Sequence, residues 1–367
     1  MRASEVTTDL LRLSLVTVGD PNQQTGGHRY HRVMADAAPN HGAEIRFTSI
    51  HPPAWPVGVA AASAVRAASV GAQGILLDSL AAAQAAPWIG RAGAPSVAVV
   101  HQRPGGVGNG PVRSRLLGAL DRAAYRRAAG CIVASDGLVE DLHRAGVRDE
   151  RVRVVHPGCD VPVAPGPPLD LRRGRDVAML CVANWSPTKG ILELLDAFAT
   201  LPEDAATLWL VGSQDVDRAY AGRVRRRISS PDLCRRVVTT GPLPIDEVGR
   251  RYRSADVFAM CSTVDAYGTA WAEAIGAGLP VVGWRSANLP RLAEDGREAL
   301  MVAPGDGRGL ASALRTITTD ASARGRLAAG ARRRARTLPT WERSAERFFA
   351  AVRELLGPRT TDPSGGA

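Results

Sequence analysis

One lysine stands among 45 arginines in this 367-residue chain, at the end of the stretch Val182-Ala-Asn184-Trp-Ser-Pro187-Thr-Lys189-Gly190. The pattern reads as a strand end, a loop and the start of a helix running to about Phe198, so the ammonium of Lys189 lies near a positive dipole end. A cation there is disfavoured unless an anion comes between, which predicts a bound phosphate. A second stretch is Asp265-Ala-Tyr-Gly268-Thr269-Ala-Trp-Ala-Glu273-Ala-Ile-Gly276-Ala-Gly278-Leu-Pro280-Val-Val. Here Gly268 and Thr269 open a helix directly after a strand and loop, and turn unsatisfied N–H groups toward an anion. Glu273, in the first turns, can accept two hydrogen bonds from vicinal hydroxyls such as a ribose pair. Asp265, eight positions earlier on the loop, is placed to bind sugar hydroxyls beyond the phosphates.

Nearer the N-terminus, Thr25-Gly26-Gly27-His28 follows the first strand and precedes a helix, and paired glycines let backbone approach a ligand closely. His101 ends the strand run from Ser96, and Gly212 ends the one from Thr207. His28 and His31 share a helix face, but no carboxylate or cysteine cluster in the sequence completes a metal site with them. There is no Ser-His-Asp nucleophile elbow, no GxxxxGK[ST] loop and no GxGxxG after the first strand; serine hydrolysis, P-loop nucleotide hydrolysis and plain dinucleotide-dependent dehydrogenation are thereby disfavoured.

The elements that must position these residues are short β-branched runs alternating with alanine-rich helical segments, an α/β pattern with parallel sheets. It occurs twice. The first set of strands is read at 11–19, 44–50, 74–78, 96–101, 131–135 and 152–155, the second at 176–183, 207–212, 237–241, 256–260, 280–284 and 299–303. Between them, Pro157, Pro162, Pro165, Pro167 and Pro168 are too dense for a helix or central strand, which suggests a linker over 161–175. Ligands of open parallel sheets bind at the carboxyl strand ends, where all the candidate residues lie. A helix is expected over 341–356 and a disordered Pro/Thr/Ser/Gly tail over 357–367.

Length favours two domains. Residues 1–10 lack the basic start and apolar core of a signal peptide, and no apolar run approaches a membrane span. The five cysteines are scattered with no CxxC pair, so a reducing cytoplasm is expected. Net charge is +10; a GC-rich genome accounts for the arginine bias, while clusters such as Arg113/Arg115, Arg122/Arg126/Arg127, Arg223/Arg225/Arg226/Arg227 and Arg332/Arg333/Arg334/Arg336 would suit peripheral contact with the inner face of an anionic membrane. Nucleic acid is not expected as a partner, because aromatic residues are only 5% of the chain and offer few stacking platforms.

The two chemical stretches, with Val155-His-Pro157-Gly158-Cys-Asp160, resemble the motifs of glycosyltransferase family four. The acidic-x7-Glu motif, Tyr267-Gly268 in place of Phe-Gly, the run from Glu273 to Val282 and the Lys189-Gly190 pair fall in the family's order and spacing. Specificity is high in the C-terminal half and rests on weaker features in the N-terminal half. The resemblance implies the GT-B fold: two Rossmann-like domains facing across a cleft, an acceptor domain over 1–160, a donor domain over 176–340, and a C-terminal helix crossing back to the first.

It further implies a retaining enzyme that moves a sugar from a nucleoside-diphosphate-sugar to a hydroxyl of a lipid, polysaccharide or small metabolite, with no metal and no other cofactor. Lys189 would pair with the diphosphate, Glu273 would hold the ribose, and Asp265 stands where a glutamate usually meets the donor sugar. His101 resembles the family's histidine near the transferred sugar. Candidate catalytic residues are therefore His101 and Asp265; candidate donor-binding residues are Lys189, Asn184, Gly268, Thr269, Glu273, Gly212, Gly26 and Gly27. Three departures stand out: Asn184 where an arginine is usual, Asp265 one methylene short, and Ser286-Ala-Asn-Leu-Pro290-Arg291 where a Gly-Gly-x-Pro-Glu run is common. The first two motivate an alternative, a nucleotide-sugar binding or scaffold protein of the same fold with weakened catalysis. Donor base, sugar, acceptor and oligomeric state are left open.

Overall fold

The structure, a computed structural model, describes residues 10–21, 25–51 and 59–357. The readings of the extreme N-terminus and of the tail lie almost wholly outside them. Two compact units result: residues 1–157 together with 341–367, and residues 158–340.

The first unit carries β1 (Leu11–Val18), α1 (Gly26–Ala37), β2 (Ala43–Ile50), α2 (Val59–Ser69), β3 (Gly74–Asp78), α3 (Ala82–Ala85), β4 (Ser96–Val100), α4 (Pro111–Arg127), β5 (Gly130–Val133), α5 (Asp136–Arg144) and β6 (Val152–Val154). The second carries β7 (Val177–Val182), α6 (Ile191–Ala199), β8 (Ala206–Val211), α7 (Arg218–Ile228), β9 (Val237–Gly241), α8 (Ile245–Ser254), β10 (Val257–Met260), α9 (Thr269–Gly276), β11 (Val281–Trp284), α10 (Leu289–Leu292), β12 (Ala299–Val302), α11 (Gly307–Thr319) and α12 (Ala321–Ala335). The chain's last helix, α13 (Trp341–Leu356), belongs to the first unit. Each of the twelve strand runs read from sequence forms a strand, with ends displaced by no more than two residues.

Among the described residues both sheets have six strands, ordered β2-β1-β3-β4-β5-β6 and β12-β11-β10-β7-β8-β9, and the strand pairs are parallel. Strands such as β3 and β4 are buried along their whole length. Helices covering both faces of a parallel sheet explain why these runs are continuously apolar rather than alternating. In each sheet the first strand lies inside, beside a strand that comes later in the chain: β1 beside β3, β7 beside β10. Strand order reverses there, which opens a crevice at the carboxyl ends.

The last helix completes the first core. Trp341, Ala345, Phe348, Phe349 and Val352 recur at helical spacing and pack with Leu13, Leu15, Tyr30, Met34 and Val99. The Ser344 hydroxyl donates to the His156 carbonyl at 2.7 Å and pins the helix start. Because Phe348 is fully buried, Phe348→Ala should destabilise the first unit by about 3–5 kcal/mol. Urea unfolding followed by a probe in each unit would show it; a loss confined to the second unit would contradict the assignment.

The division between units falls after Pro157, earlier than the 161–175 segment suggested by the prolines. That segment packs on the second unit. Ala164 N–H donates to the Asp246 carbonyl at 3.1 Å, Leu169 N–H to the Ser254 hydroxyl at 2.9 Å, and the Trp209 indole to the Leu171 carbonyl at 2.8 Å. Proline density rules out a helix but not an ordered extended segment tied by its neighbours' hydrogen bonds. Among the described residues no helix is long and apolar enough to cross a membrane.

Candidate functional site

In the second unit the sequence-marked residues converge on the β7/β10 crevice. Lys189 ends a 3-10 turn, Pro187–Lys189, just before α6. Its ammonium bonds the Asp265 carboxylate, Nζ to Oδ2, at 2.7 Å, with both side chains about four-fifths buried. The other carboxylate oxygen of Asp265 accepts the Gly268 N–H at 2.9 Å. Sequence reasoning gave these two residues separate partners, a diphosphate and a sugar; the fold joins them. A carboxylate thus lies between a cation and the opening of α9, the place an anion was expected to fill.

The Lys189 loop is held from behind. The Thr188 carbonyl accepts from Thr263 N–H at 2.8 Å and from the Ser262 hydroxyl at 3.2 Å, which ties the loop after β7 to the loop after β10. Gly190 is left-handed (φ +63°), and a Cβ there would lie 2.2 Å from the Cys261 carbonyl oxygen. At α6, unlike α9, the first N–H groups are already satisfied: Ile191 and Leu192 donate to the Tyr220 hydroxyl at 3.0 and 3.2 Å. An anion beside Lys189 would therefore meet the start of α9 rather than that of α6.

Glu273 is buried in the second turn of α9, and the Tyr252 hydroxyl donates to its Oε2 at 3.0 Å. Tyr252, on α8, is a positioning residue that sequence reasoning missed, because nothing local links it to Glu273. Gly268 takes a left-handed conformation (φ +85°) at the mouth of α9, with Thr269 the first helical residue. Gly212 stands so close to the Ala183 carbonyl that no Cβ fits, and its N–H donates to Gly241 at 3.0 Å. Its place is in the scaffold of the strand ends.

The first unit builds its own cluster at the β1/β3 crevice. Asp78, at the end of β3 and 1% exposed, accepts the Thr17 hydroxyl at 2.6 Å, the Ser79 hydroxyl at 3.3 Å and Leu80 N–H at 3.1 Å. His31 Nε2 lies 3.4 Å from the same carboxylate. The His101 ring packs edge-on against Tyr30 and His31, each at 4.8 Å between centroids, and the backbone N–H of His101 donates to the Ser79 hydroxyl at 3.2 Å. A Cβ added at Gly27 would come to 3.6 Å from the His101 ring. Gly26 opens α1, whose cap is Thr25: its hydroxyl oxygen accepts His28 N–H and bonds His28 Nδ1.

Sequence reasoning saw no carboxylate near His28 and His31; the fold supplies Asp78. Its one local signal is an acid ending an apolar strand, Gly-Ile-Leu-Leu-Asp78. Among the described residues, no group of three or more His, Cys, Asp or Glu side chains is arranged to hold a metal ion.

Burial pushes the His101 imidazole down to about 3, aided by the charge of His31 and opposed by Asp78. Burial likewise lowers His28. It works against the charged form of Asp78 too, but the charge and hydrogen bond of His31, the charge of His101 and the Thr17 hydroxyl together hold that carboxyl well below the usual range. Below pH 6.5, the ordinary histidine value, the unfolded chain binds more protons than the native one, so stability falls with pH. The Asp78 contribution is lost at still lower pH, as the native carboxyl protonates. Melting temperature should therefore decline steadily from pH 7 to pH 4, with a shallower slope in His101→Gln; identical slopes would remove His101 from the explanation.

Two family profiles match the chain, "Glycosyl transferase 4-like domain" over residues 4–158 and "Glycosyl transferases group 1" over residues 176–320. This chain belongs to the family-four glycosyltransferases. Among its relatives are a mannosylfructose-phosphate synthase of Agrobacterium fabrum, 26% identical over 60% of this chain and 51% of the relative, and a D-inositol 3-phosphate glycosyltransferase of Nocardioides sp., 32% identical over 55% and 48%. The chain thus spans about half the length of these curated relatives. Two solved structures share its GT-B fold: HepE of Anabaena in complex with UDP-glucose, with TM-score 0.78, 19% identity and coverage of 93% and 98%, and sucrose-phosphate synthase of Thermosynechococcus elongatus, with TM-score 0.76, 20% identity and coverage of 94% and 98%.

As a family-four glycosyltransferase, the chain shows its departures in structural terms. Asn184, in the usual arginine position, accepts Ser213 N–H at 2.9 Å and so fastens the loop after β7 to that after β8. In the loop that replaces Gly-Gly-x-Pro-Glu, Ala287 is left-handed (φ +51°), where the family's glycine would be unstrained. Asn288 keeps this loop on the site by donating from Nδ2 to the Tyr267 carbonyl at 2.6 Å.

Proposed function

We propose that this protein is a retaining glycosyltransferase that moves a sugar from a nucleoside-diphosphate-sugar to an acceptor hydroxyl without a divalent metal. The observation that carries the reading is the Lys189–Asp265–Gly268 arrangement, a cation and a helix opening that converge on one carboxylate. The diphosphate would displace Asp265 from Lys189 and take up the α9 amides, so that charge building on the leaving group is neutralised as the glycosidic bond breaks. Glu273, oriented by Tyr252, would hold the ribose hydroxyls. His101, kept neutral by burial, would offer a hydrogen bond to the transferred sugar, and a donor phosphate oxygen would take the acceptor proton. A fold neighbour crystallised with UDP-glucose supports a nucleotide-sugar donor, and relatives named as a D-inositol 3-phosphate glycosyltransferase and a mannosylfructose-phosphate synthase support sugar transfer.

The test is a thermal-shift screen of uridine, guanosine and adenosine diphosphate sugars, since a bound donor raises the melting temperature by mass action. Donor turnover with and without EDTA follows, with the anomeric configuration of product read by NMR. A melting shift with no donor hydrolysis would leave a binding protein; EDTA-sensitive turnover or an inverted product would refute the mechanism.

A further inference from the structure

Helix α4 carries a face that the transfer reading does not use. At about 100° per residue, Val112, Leu116, Ala119 and Ala123 fall in one narrow stripe along its outer side. Val112 is 78% exposed, Leu116 49%, and Val107, in the loop leading into the helix, 46%. Arg115, Arg122 and Arg126 flank the stripe on one side, Arg113 and Arg127 on the other. The buried face is opposite, formed by Gly118, Asp121, Ala124 and Tyr125. Asp121 is the helix's one acid; it turns inward and accepts Gly105 N–H at 2.8 Å. The outer face therefore carries no negative charge. Among the described residues Arg113 and Arg115 have no ion-pair partner.

We propose that this face of α4 lies flat on an anionic lipid bilayer. A merely solvated face would mix acids with bases and would not place branched aliphatics along its midline. A nucleic-acid surface has no use for an apolar stripe. An interfacial helix uses both features: aliphatic side chains enter the acyl boundary while arginines on either flank run their stems alongside and reach the headgroup phosphates. The helix is not apolar enough to cross the membrane, so it lies in the plane. It follows the loop that begins at His101, at the carboxyl end of β4, which places the first unit's polar cluster on the sheet edge from which the chain enters α4. This inference does not rest on the transfer reading.

The test uses the full chain in vesicle flotation, comparing mixed phosphatidylglycerol and phosphatidylcholine with phosphatidylcholine alone. The parent should float with the anionic vesicles only, and less at high salt. Val112→Ser with Leu116→Ser, and separately Arg113→Glu with Arg115→Glu, should each cut binding about tenfold. Arg225→Glu with Arg226→Glu, in the basic cluster on α7, should leave it unchanged. All substituted side chains are exposed, and circular dichroism checks that folding survives. The proposal falls if the parent ignores anionic vesicles, if the α7 pair matters as much as the arginine pair on α4, or if the serine pair floats like the parent. It also falls if the α4 pairs change only the sedimenting mass, which would assign the face to a second copy of the chain.

Discussion

Lys189→Ala should weaken uridine diphosphate binding about 30- to 100-fold, the low end of what truncating one partner of a hydrogen-bonded charge pair costs, because the ammonium is about one-quarter exposed. Asp265→Asn should do the opposite. The amide keeps an oxygen for Gly268 N–H but no longer neutralises Lys189, so the diphosphate competes with nothing and its affinity should rise several-fold. The sugar-bearing donor would gain less if Asp265 also binds the sugar, as the proposed transfer reading has it. Calorimetry with uridine diphosphate and with its glucose conjugate separates these effects. If Asp265→Asn loses the diphosphate, the carboxylate supports the site rather than filling it. If Lys189→Arg binds as well as the parent, the lone lysine is an accident of composition.

Gly190→Ala should unfold much of the same site with Lys189 intact. A left-handed alanine costs about 1–2 kcal/mol on its own. Its Cβ would also sit 2.2 Å from the Cys261 carbonyl oxygen and 2.7 Å from the Cys261 Cβ, contacts that real side chains do not make, so the Lys189 loop must lift off β10. A total of about 3–5 kcal/mol is expected for overpacking together with backbone strain, or roughly 6–20 °C in melting temperature for a unit of this size. Diphosphate binding should be lost as the Thr188–Thr263 bond breaks. Gly296→Ala is the control: it too is left-handed (φ +79°), but nothing stands within 4 Å of its Cβ. It should show the backbone cost alone. Equal losses in the two variants would mean that the Cys261 contact relaxes freely.

The sequence by itself determined the elements and the vocabulary of the site. Continuous β-branched runs between helical segments mark both parallel sheets, because each run needs only its own neighbours to be legible. The order Lys189-Gly190, then Asp265, Gly268 and Glu273, is legible as a candidate phosphate and hydroxyl site because the local turn and helix start dictate which backbone atoms are unsatisfied.

What only the tertiary structure decided is which group meets which. Lys189 and Asp265 are 76 positions apart and meet because β10 enters the sheet beside β7. Thr17 and Asp78, 61 positions apart, meet because β3 pairs with β1. Asp78 gathers His31 and, through Ser79, His101 by the same placement of strand ends, while Tyr252 reaches Glu273 from helix to helix, α8 to α9. The prolines after Pro157 look like a linker by composition, yet their neighbours' N–H groups bind the second unit. Local pattern fixes period and punctuation; strand order sets the long-range pairs, and with them the charge that Lys189 faces.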